Sequence, residues 1–389
     1  MLEGVTVLDL SRVLAGPYAT QILADLGADV WKIERPGAGD ETRAWGPPFV
    51  DDRSGYFLAV NRNKRSVAAD LERADHRAAV RRAALAGDVV VENFLPGTLE
   101  RFGLDAASLR AERPDLIVCS ITGFGQHGAE ARRPGYDAVM QGHVGLMSVT
   151  GAEDGPPTKV GVAVVDVMTG AHAAAAILGA LVARGLGRGG AHLDIALVDV
   201  GVAMLVNLAE AALLTGGAPA RHGNAHPHIV PYQTFQARDG ALVVAVGNDA
   251  QWSRLCAAIG VPEWAAVPEW STNAGRVADR DRLVARLAER FATADRGRWL
   301  EALHAANVPA GGVRDLTEVL RDPTLTARGM IAHVADTHAP HAGDPLNSGA
   351  GNGLPLLALP WLIDGVRPAV RRPPPHLGEH SAEFFARFG

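Results

Sequence analysis

Short apolar runs alternate with helix-spaced apolar residues over the first 125 positions of this chain. Val5–Leu10 is a brief β-branched run, and Asp29–Glu34, Asp88–Glu92 and Leu116–Thr122 repeat the pattern. Between them lie Tyr18–Leu26, with Pro17 placed for a first helical turn, and a charged, Ala-rich stretch around 72–86. Short apolar runs bounded by turn residues read as strands, and apolar spacing of three and four reads as helix. The stretch 36–48 is rich in Gly and Pro and reads as a loop. This β-α alternation predicts an α/β fold, a parallel sheet with helices on both faces.

Further on, Thr169–Arg184 predicts a helix of small residues with a basic end, and 193–214 predicts a second, deeply buried one. Segment 171–183 is too short to span a bilayer, and 193–214 holds Asp194, Asp199 and Glu210, so no membrane span is expected. Residues 215–231 (TGGAPARHGNAHPHIVP) read as a linker. A β-hairpin turning at Asp239-Gly240 follows, then helices near 250–260, 280–292 and 297–306. Segment 336–354 reads as loop, and PPPHLGEH at 373–380 introduces a short C-terminal helix.

At 389 residues the chain should form two domains, or one with a large insertion. A net charge of -6 disfavours a nucleic-acid binder. Cys119 and Cys256 form no CxxC, which excludes a disulfide framework or a thiolate zinc site and fits a reducing, cytoplasmic setting. The start, MLEGVTVLDL, reads as a strand rather than a signal peptide. After the first strand stands SRVLAGPY, without the glycines of a dinucleotide site, although Glu34 sits where such a site would bind a ribose. Neither GxxxxGKS nor GxSxG occurs, against P-loop and α/β-hydrolase chemistry.

Asp166 ends the apolar run VAVVD just before the predicted helix, where a plain N-cap is the ordinary role for Asp. The alternative is a nucleophile, a carboxylate already ionised at neutral pH that needs only positioning and partial desolvation. Basic groups recur at expected post-strand loops: Arg12, Arg35, the stretch NRNKRS with Arg62, Lys64 and Arg65, and Arg101 beyond Asn93-Phe94. Ligands bind at such loops in open α/β sheets, and the recurrence points to an anionic ligand. His333, His338 and His341, with Asp336 and Asp344, lack metal-site spacing, as do His222, His226 and His228, so no metal is expected.

Over nearly its whole length the sequence resembles the class III CoA transferases, the CaiB/BaiF family. The resemblance is carried by LDLSRVLAGPYATQILADLGADVWKIERPGAGDETR (8–43), NRNKRSVAADL (61–71), VVENFLPGTLERFGLD (90–105) and SITGFGQHG (120–128). It continues through GYDAVMQGHVGLMSVTG (135–151), KVGVAVVDVMTG (159–170), GNAHPHIVPYQTF (223–235) and PPPHLGEHS (373–381). The resemblance implies that Asp166 is the catalytic carboxylate and that CoA is contacted at Arg12, Leu14, Ala15, Arg35, Leu71, Asn93, Phe94, Arg101 and Tyr136. Acyl-CoA is then a substrate, with no permanently bound cofactor.

The same resemblance implies a large Rossmann-like domain built from both chain ends, a smaller α+β domain and an interlocked homodimer. The corresponding boundaries are 1–200 for the first part of the large domain, 201–230 for a linker, 231–325 for the small domain and 326–389 for the return. Related α-methylacyl-CoA racemases place a His in a GHD segment. Here it is Gly135-Tyr136-Asp137, and a tyrosine is a poor proton-transfer partner near neutral pH, so transfer is favoured over the alternative, racemisation. The glycine-rich loop of some transferases corresponds to Val246-Gly247-Asn248-Asp249. Gly247 and Asn248, with N–H groups at the start of the 167–183 helix, are the expected oxyanion donors. The segment 145–170 is most similar to members that use succinyl-CoA or another dicarboxylyl-CoA, with Arg12, Arg132 or Arg133 to meet a second carboxylate.

Overall fold

A computed structural model of the chain describes residues 1–336 and 353–389. His338, His341 and Asp344 lie outside the described residues. Six strands form a parallel sheet: β1 (Thr6–Asp9), β2 (Asp29–Glu34), β3 (Lys64–Ala68), β4 (Val89–Glu92), β5 (Ile117–Thr122) and β6 (His192–Ala196), in the order β3-β2-β1-β4-β5-β6. β1 lies between β2, where Val7 pairs with Val30, and β4, where Val7 pairs with Val89. The order reverses there, which makes the C-terminal ends of β1 and β4 the switch point of a doubly wound sheet. All of β4 and β5 is buried, as covering on both faces requires.

Strand β3 was not anticipated, because KRSVA reads as polar. Lys64 is nonetheless fully buried, its Nζ 3.1 Å from Asp9 Oδ2 in β1. Arg62 pairs with buried Asp25, and Arg65 with Asp29 and Glu383. The three cations of NRNKRS therefore hold the fold and are not offered to a ligand.

The helices in chain order are α1 (Ala15–Asp25), α2 (Gly55–Val60), α3 (Ala74–Ala86), α4 (Ala106–Glu112), α5 (Asp137–His143) and α6 (Val164–Gly185). After β6 come α7 (Leu197–Ala203) and α8 (Val206–Thr215). The single buried helix expected over 193–214 is thus a strand and two helices. α8 has no buried residue, and Leu213 and Leu214 are 80% and 78% exposed. α6 is longer than expected, long and apolar enough to cross a membrane by length and composition alone. It packs Thr169, Gly170, Ala173, Ala174 and Ile177 into the core, where Gly170 lets the backbone of α1 approach.

The chain divides into two compact units. The first comprises 1–146, 159–217 and 321–389, and the second 147–158 and 218–320. Residues 201–217, read as linker, group with the first unit, and 147–158 group with the second, where Arg221 donates to the carbonyls of Ala152 and Gly155. The chain's end returns to the large sheet through α12 (Ser381–Phe388), whose Phe384 and Phe388 pack on Trp31. The second unit is an antiparallel sheet of β7 (Tyr232–Ala237), β8 (Gly240–Ala245) and β9 (Ala310–Gly312). Against it lie α9 (Asp249–Ala258), α10 (Arg280–Phe291) and α11 (Arg296–Ala305). Leu283, Leu287 and Phe291 recur every fourth residue along the buried stripe of α10. The hairpin turns at Arg238-Asp239, one residue earlier than expected, and Gly240 already pairs with Ala237.

Candidate active site

The loop after β1 is shaped from beneath. Asp9 accepts from Thr20 Oγ1 at 2.6 Å, and Lys32 Nζ donates to the Ser11 carbonyl at 2.8 Å while pairing with Asp40 at 2.9 Å. These groups are buried, so each charge needs its partner. Lys32 beside Asp40 helps hold that carboxyl down at about 2 against the opposing effect of burial. Asp40 also accepts the Val13 N–H, at 3.3 Å to each oxygen. Val13 stands at φ 71, a region β-branched residues rarely enter, so the turn is strained and held from outside.

Two clefts open at the switch point, both lined by the first unit. One, of about 280 Å³, is lined by Arg12, Arg35, Leu71, Phe94 and Arg101 among others. Its neighbour, of about 240 Å³, takes in Leu14, Ala15, Asn93, Tyr136 and Asp166. Arg12 and Phe94 line both, so the two clefts adjoin. The Arg12 guanidinium lies 5.2 Å from the Phe94 ring centroid and pairs with Glu41. Arg101 pairs with Glu72 at 2.7 Å on the surface. Tyr136 is 62% exposed at the start of α5. Ten of the twelve residues expected at the site thus line this pair of clefts. Gly247 and Asn248 do not: they lie in the second unit, where the Asn248 side chain caps α9 by accepting from Gln251 N, and the Gly247 N–H donates to Gln251 Oε1.

Asp166 sits inside the first turn of α6 and is not its N-cap, which is Ala163. No side chain of residue 163 can cap the helix. Asp137, from α5, does so instead: its Oδ1 accepts the N–H of Val165 at 2.8 Å and of Asp166 at 3.3 Å. The Val167 N–H bonds to the Ala163 carbonyl. The N–H groups expected to meet an oxyanion at this helix start are therefore already engaged. Burial, and then the Asp137 charge, push the Asp166 carboxyl up to about 7. The free carboxylate is correspondingly more basic than an ordinary aspartate. Tyr56, from α2, senses the same pair: burial and then Asp166 and Asp137 push its hydroxyl up to about 12.

Sequence reading passed over Asp137, Glu41 and Tyr56. Asp137 was in plain view within Gly135-Tyr136-Asp137, but nothing local marks it as the cap of a helix that begins 27 residues later. Among the described residues no group of three or more His, Cys, Asp or Glu is placed to hold a metal ion. Cys119 and Cys256 are both buried free thiols.

Fold and cleft together define a doubly wound α/β protein with arginines and a buried, basic carboxylate at its switch point. The family model for CoA-transferase family III matches residues 2–381. A succinate–glutarate CoA-transferase of Agrobacterium fabrum is 42% identical, over 99% of this chain and 95% of that protein. A succinyl-CoA:glutarate CoA-transferase of Homo sapiens is 39% identical, over 98% of this chain and 84% of that one. The crystal structure of a CaiB/BaiF family protein from Brucella suis superposes with a TM-score of 0.85 at 42% identity, covering 100% of this chain and 99% of its own. The chain belongs to CoA-transferase family III, and it is an enzyme that transfers CoA between carboxylic acids.

Proposed function

We propose that this transferase moves CoA from succinyl-CoA to a small dicarboxylic acid, glutarate being the first acceptor to test, through covalent intermediates on Asp166. The observation that carries this reading is the buried Asp166 carboxylate in a cleft adjoining one lined by Arg35 and Arg101, with Arg12 common to both. The two relatives named for glutarate support the choice of acids.

In the first step an Asp166 oxygen attacks the thioester carbon. The C–S bond breaks, its electron pair leaves on the CoA sulfur, and a mixed anhydride remains. The thiolate then attacks the aspartyl carbonyl, releases the donor as a carboxylate and leaves aspartyl-CoA. The acceptor carboxylate runs the two steps in reverse. Arg35 and Arg101 are suited to the phosphates of CoA, and Phe94 to an apolar part of it. Among the described residues Arg12 is the one cation lining the Asp166 cleft, and it is suited to the second carboxylate of the acid. Of the other expected oxyanion donors, the Gly247 N–H would have to give up Gln251 Oε1 to serve, and the Asn248 side chain would donate through Nδ2.

The cytoplasm is the proposed setting, consistent with two unpaired thiols. An interlocked homodimer is proposed as well. It would give cover to the exposed apolar residues of α8, Val206, Leu213 and Leu214.

The test is to incubate the pure enzyme with succinyl-CoA and a pool of carboxylic acids and to read new thioesters by mass spectrometry. Glutaryl-CoA that forms with the native enzyme and vanishes with Asp166→Ala supports the reading. Normal turnover by Asp166→Ala overturns the covalent scheme, and a preference for monocarboxylic acids overturns the substrate class.

A further inference from the structure

Asp137 is a buried carboxylate that no step of the scheme above uses. Its Oδ1 holds two N–H groups of the first turn of α6, at Val165 and Asp166, and its Oδ2 accepts from Gln141 Nε2 at 2.6 Å. Gln141 in turn accepts the Val160 N–H at 2.8 Å and donates to the Val162 carbonyl at 3.3 Å. The acid and the amide, one turn apart on α5, thus fasten the whole approach to the nucleophile, residues 160–166.

We propose that Asp137 is a positioning residue for the nucleophile, fixing the first turn of α6 and holding a negative charge against Asp166 that is relieved when Asp166 is acylated. The inference rests on Asp166 being the nucleophile. A side chain that only capped the helix would do as well uncharged, since an amide oxygen accepts the same two bonds. A neighbouring carboxylate does something more. Two like charges in a buried site raise the free energy of the ionised nucleophile. Attack on the thioester moves the charge of Asp166 onto the departing sulfur, so repulsion present before reaction is lost on the way to the anhydride. Interactions that differ between ground state and transition state are the ones that change kcat.

The surroundings leave this charge to Asp137. α1 brings Tyr18 and Asp25, the latter paired with Arg62. α2 brings Tyr56, α5 also His143, α7 Asp199, and β6 His192 and Asp194. Burial and then the Asp137 charge raise the Asp166 carboxyl, and among the described residues no side chain donates to it.

The test is Asp137→Asn, with kcat and KM for acyl-CoA followed against pH and thermal unfolding measured alongside. The expected result is a lowered unfolding midpoint, because the new amide nitrogen faces Gln141 Nε2, donor against donor, with an unchanged KM, a kcat lower by about tenfold, and an acid limb displaced downward by about one pH unit. Should that variant not fold, Asp137→Asn/Gln141→Glu keeps one acid and one amide in the pair while moving the charge a helical turn along α5, and the same displacement is expected. A variant that folds and keeps the native kcat and acid limb overturns the inference. If Asp166→Ala is inactive, that result leaves the nucleophile standing and removes Asp137 alone; an active Asp166→Ala removes both.

Discussion

Asn93 grips Arg12 by both of its backbone groups: Nδ2 donates to the Arg12 carbonyl at 2.7 Å, and Oδ1 accepts the Arg12 N–H at 2.9 Å. The amide thus ties the loop after β4 to the loop after β1 across the switch point. It works together with Asp40, which takes the next N–H, that of Val13, and the two keep Val13 in its left-handed conformation. Asn93 shapes the cleft by fixing the backbone from which the Arg12 side chain extends over Phe94.

Asn93→Ala removes both bonds and leaves two Arg12 backbone groups to find new partners. A loss of about 1–3 kcal/mol in unfolding free energy is expected. The Arg12-Val13 turn should relax toward an ordinary conformation, and KM for acyl-CoA should rise by about tenfold or more. Steady-state kinetics beside denaturant unfolding check this. A variant that loses stability at native KM would show that the clamp serves the fold alone.

Glu41 lies against the Arg12 guanidinium, and both side chains remain about two-fifths exposed. A pair so exposed adds little stability, but it does compete with any anionic ligand for Arg12. Glu41→Gln should therefore leave unfolding within about 0.5 kcal/mol of native and lower KM for the dicarboxylic acid by about two- to fivefold. Arg12→Ala should raise the same KM by about tenfold or more. Titrating acceptor concentration at fixed succinyl-CoA separates these outcomes.

What the sequence showed depended on where each residue's partner lay. β2 matches its expected bounds because Asp29–Glu34 carries its own apolar pattern, and α10 falls at the helix expected near 280–292, where Leu283, Leu287 and Phe291 form a local buried stripe. β3 was missed because Lys64 is buried only by virtue of Asp9, 55 positions away. The start of α6 was misplaced because its cap, Asp137, lies 28 positions before Val165, and Val164-Val165 gives no local start signal. Among the cleft-lining residues, Arg12, Arg35, Asn93, Phe94, Arg101 and Asp166 were picked out by type and position, while Leu14, Ala15, Leu71 and Tyr136 came from resemblance to a family. Asp137 and Glu41 act on a backbone and on another side chain, relationships that exist only once the chain has folded.

Gly170 is where α6 meets α1 most closely. A Cβ there would lie 2.5 Å from the Ala15 carbonyl oxygen and 3.1 Å from Tyr18 Cδ1. Alanine favours helix by about 1 kcal/mol over glycine, but overpacking against backbone costs about 1–3 kcal/mol. The backbone cannot swing aside as a flexible side chain would, so the second effect should win. Gly170→Ala is expected to destabilise by about 1 kcal/mol and, by displacing Leu14 and Ala15, to raise KM for acyl-CoA. Unfolding curves and kinetics on the same preparation test both parts.

Lys64 carries a fully buried charge between Asp9, Asn61 and the Pro17 carbonyl. Burial outweighs its carboxylate neighbours and lowers its amine to about 8. Lys64→Met fills the space but leaves Asp9 with Lys32 as its remaining nearby cation. Breaking one side of a buried pair typically costs about 3–5 kcal/mol, and a loss of that order is expected. Lys64→Met/Asp9→Asn, which removes both charges, should recover part of it, and a double-mutant cycle measures the coupling.

Asp166 itself should reduce stability at the pH where it works. Its carboxyl is pushed from the ordinary 3.8 to about 7, so between those values the folded chain binds more protons than the unfolded one. Stability then falls as pH rises through that window, since the unfolded chain can ionise the group at lower cost. Asp166→Asn removes the titration. It should differ little from the native enzyme near pH 4 and become progressively more stable than it toward pH 8, by up to about 4 kcal/mol. Denaturant unfolding of both proteins across this range gives the difference directly, free of every group they share. A flat difference would mean that Asp166 ionises in the folded enzyme as an ordinary aspartate does, and that neither burial nor Asp137 sets its basicity.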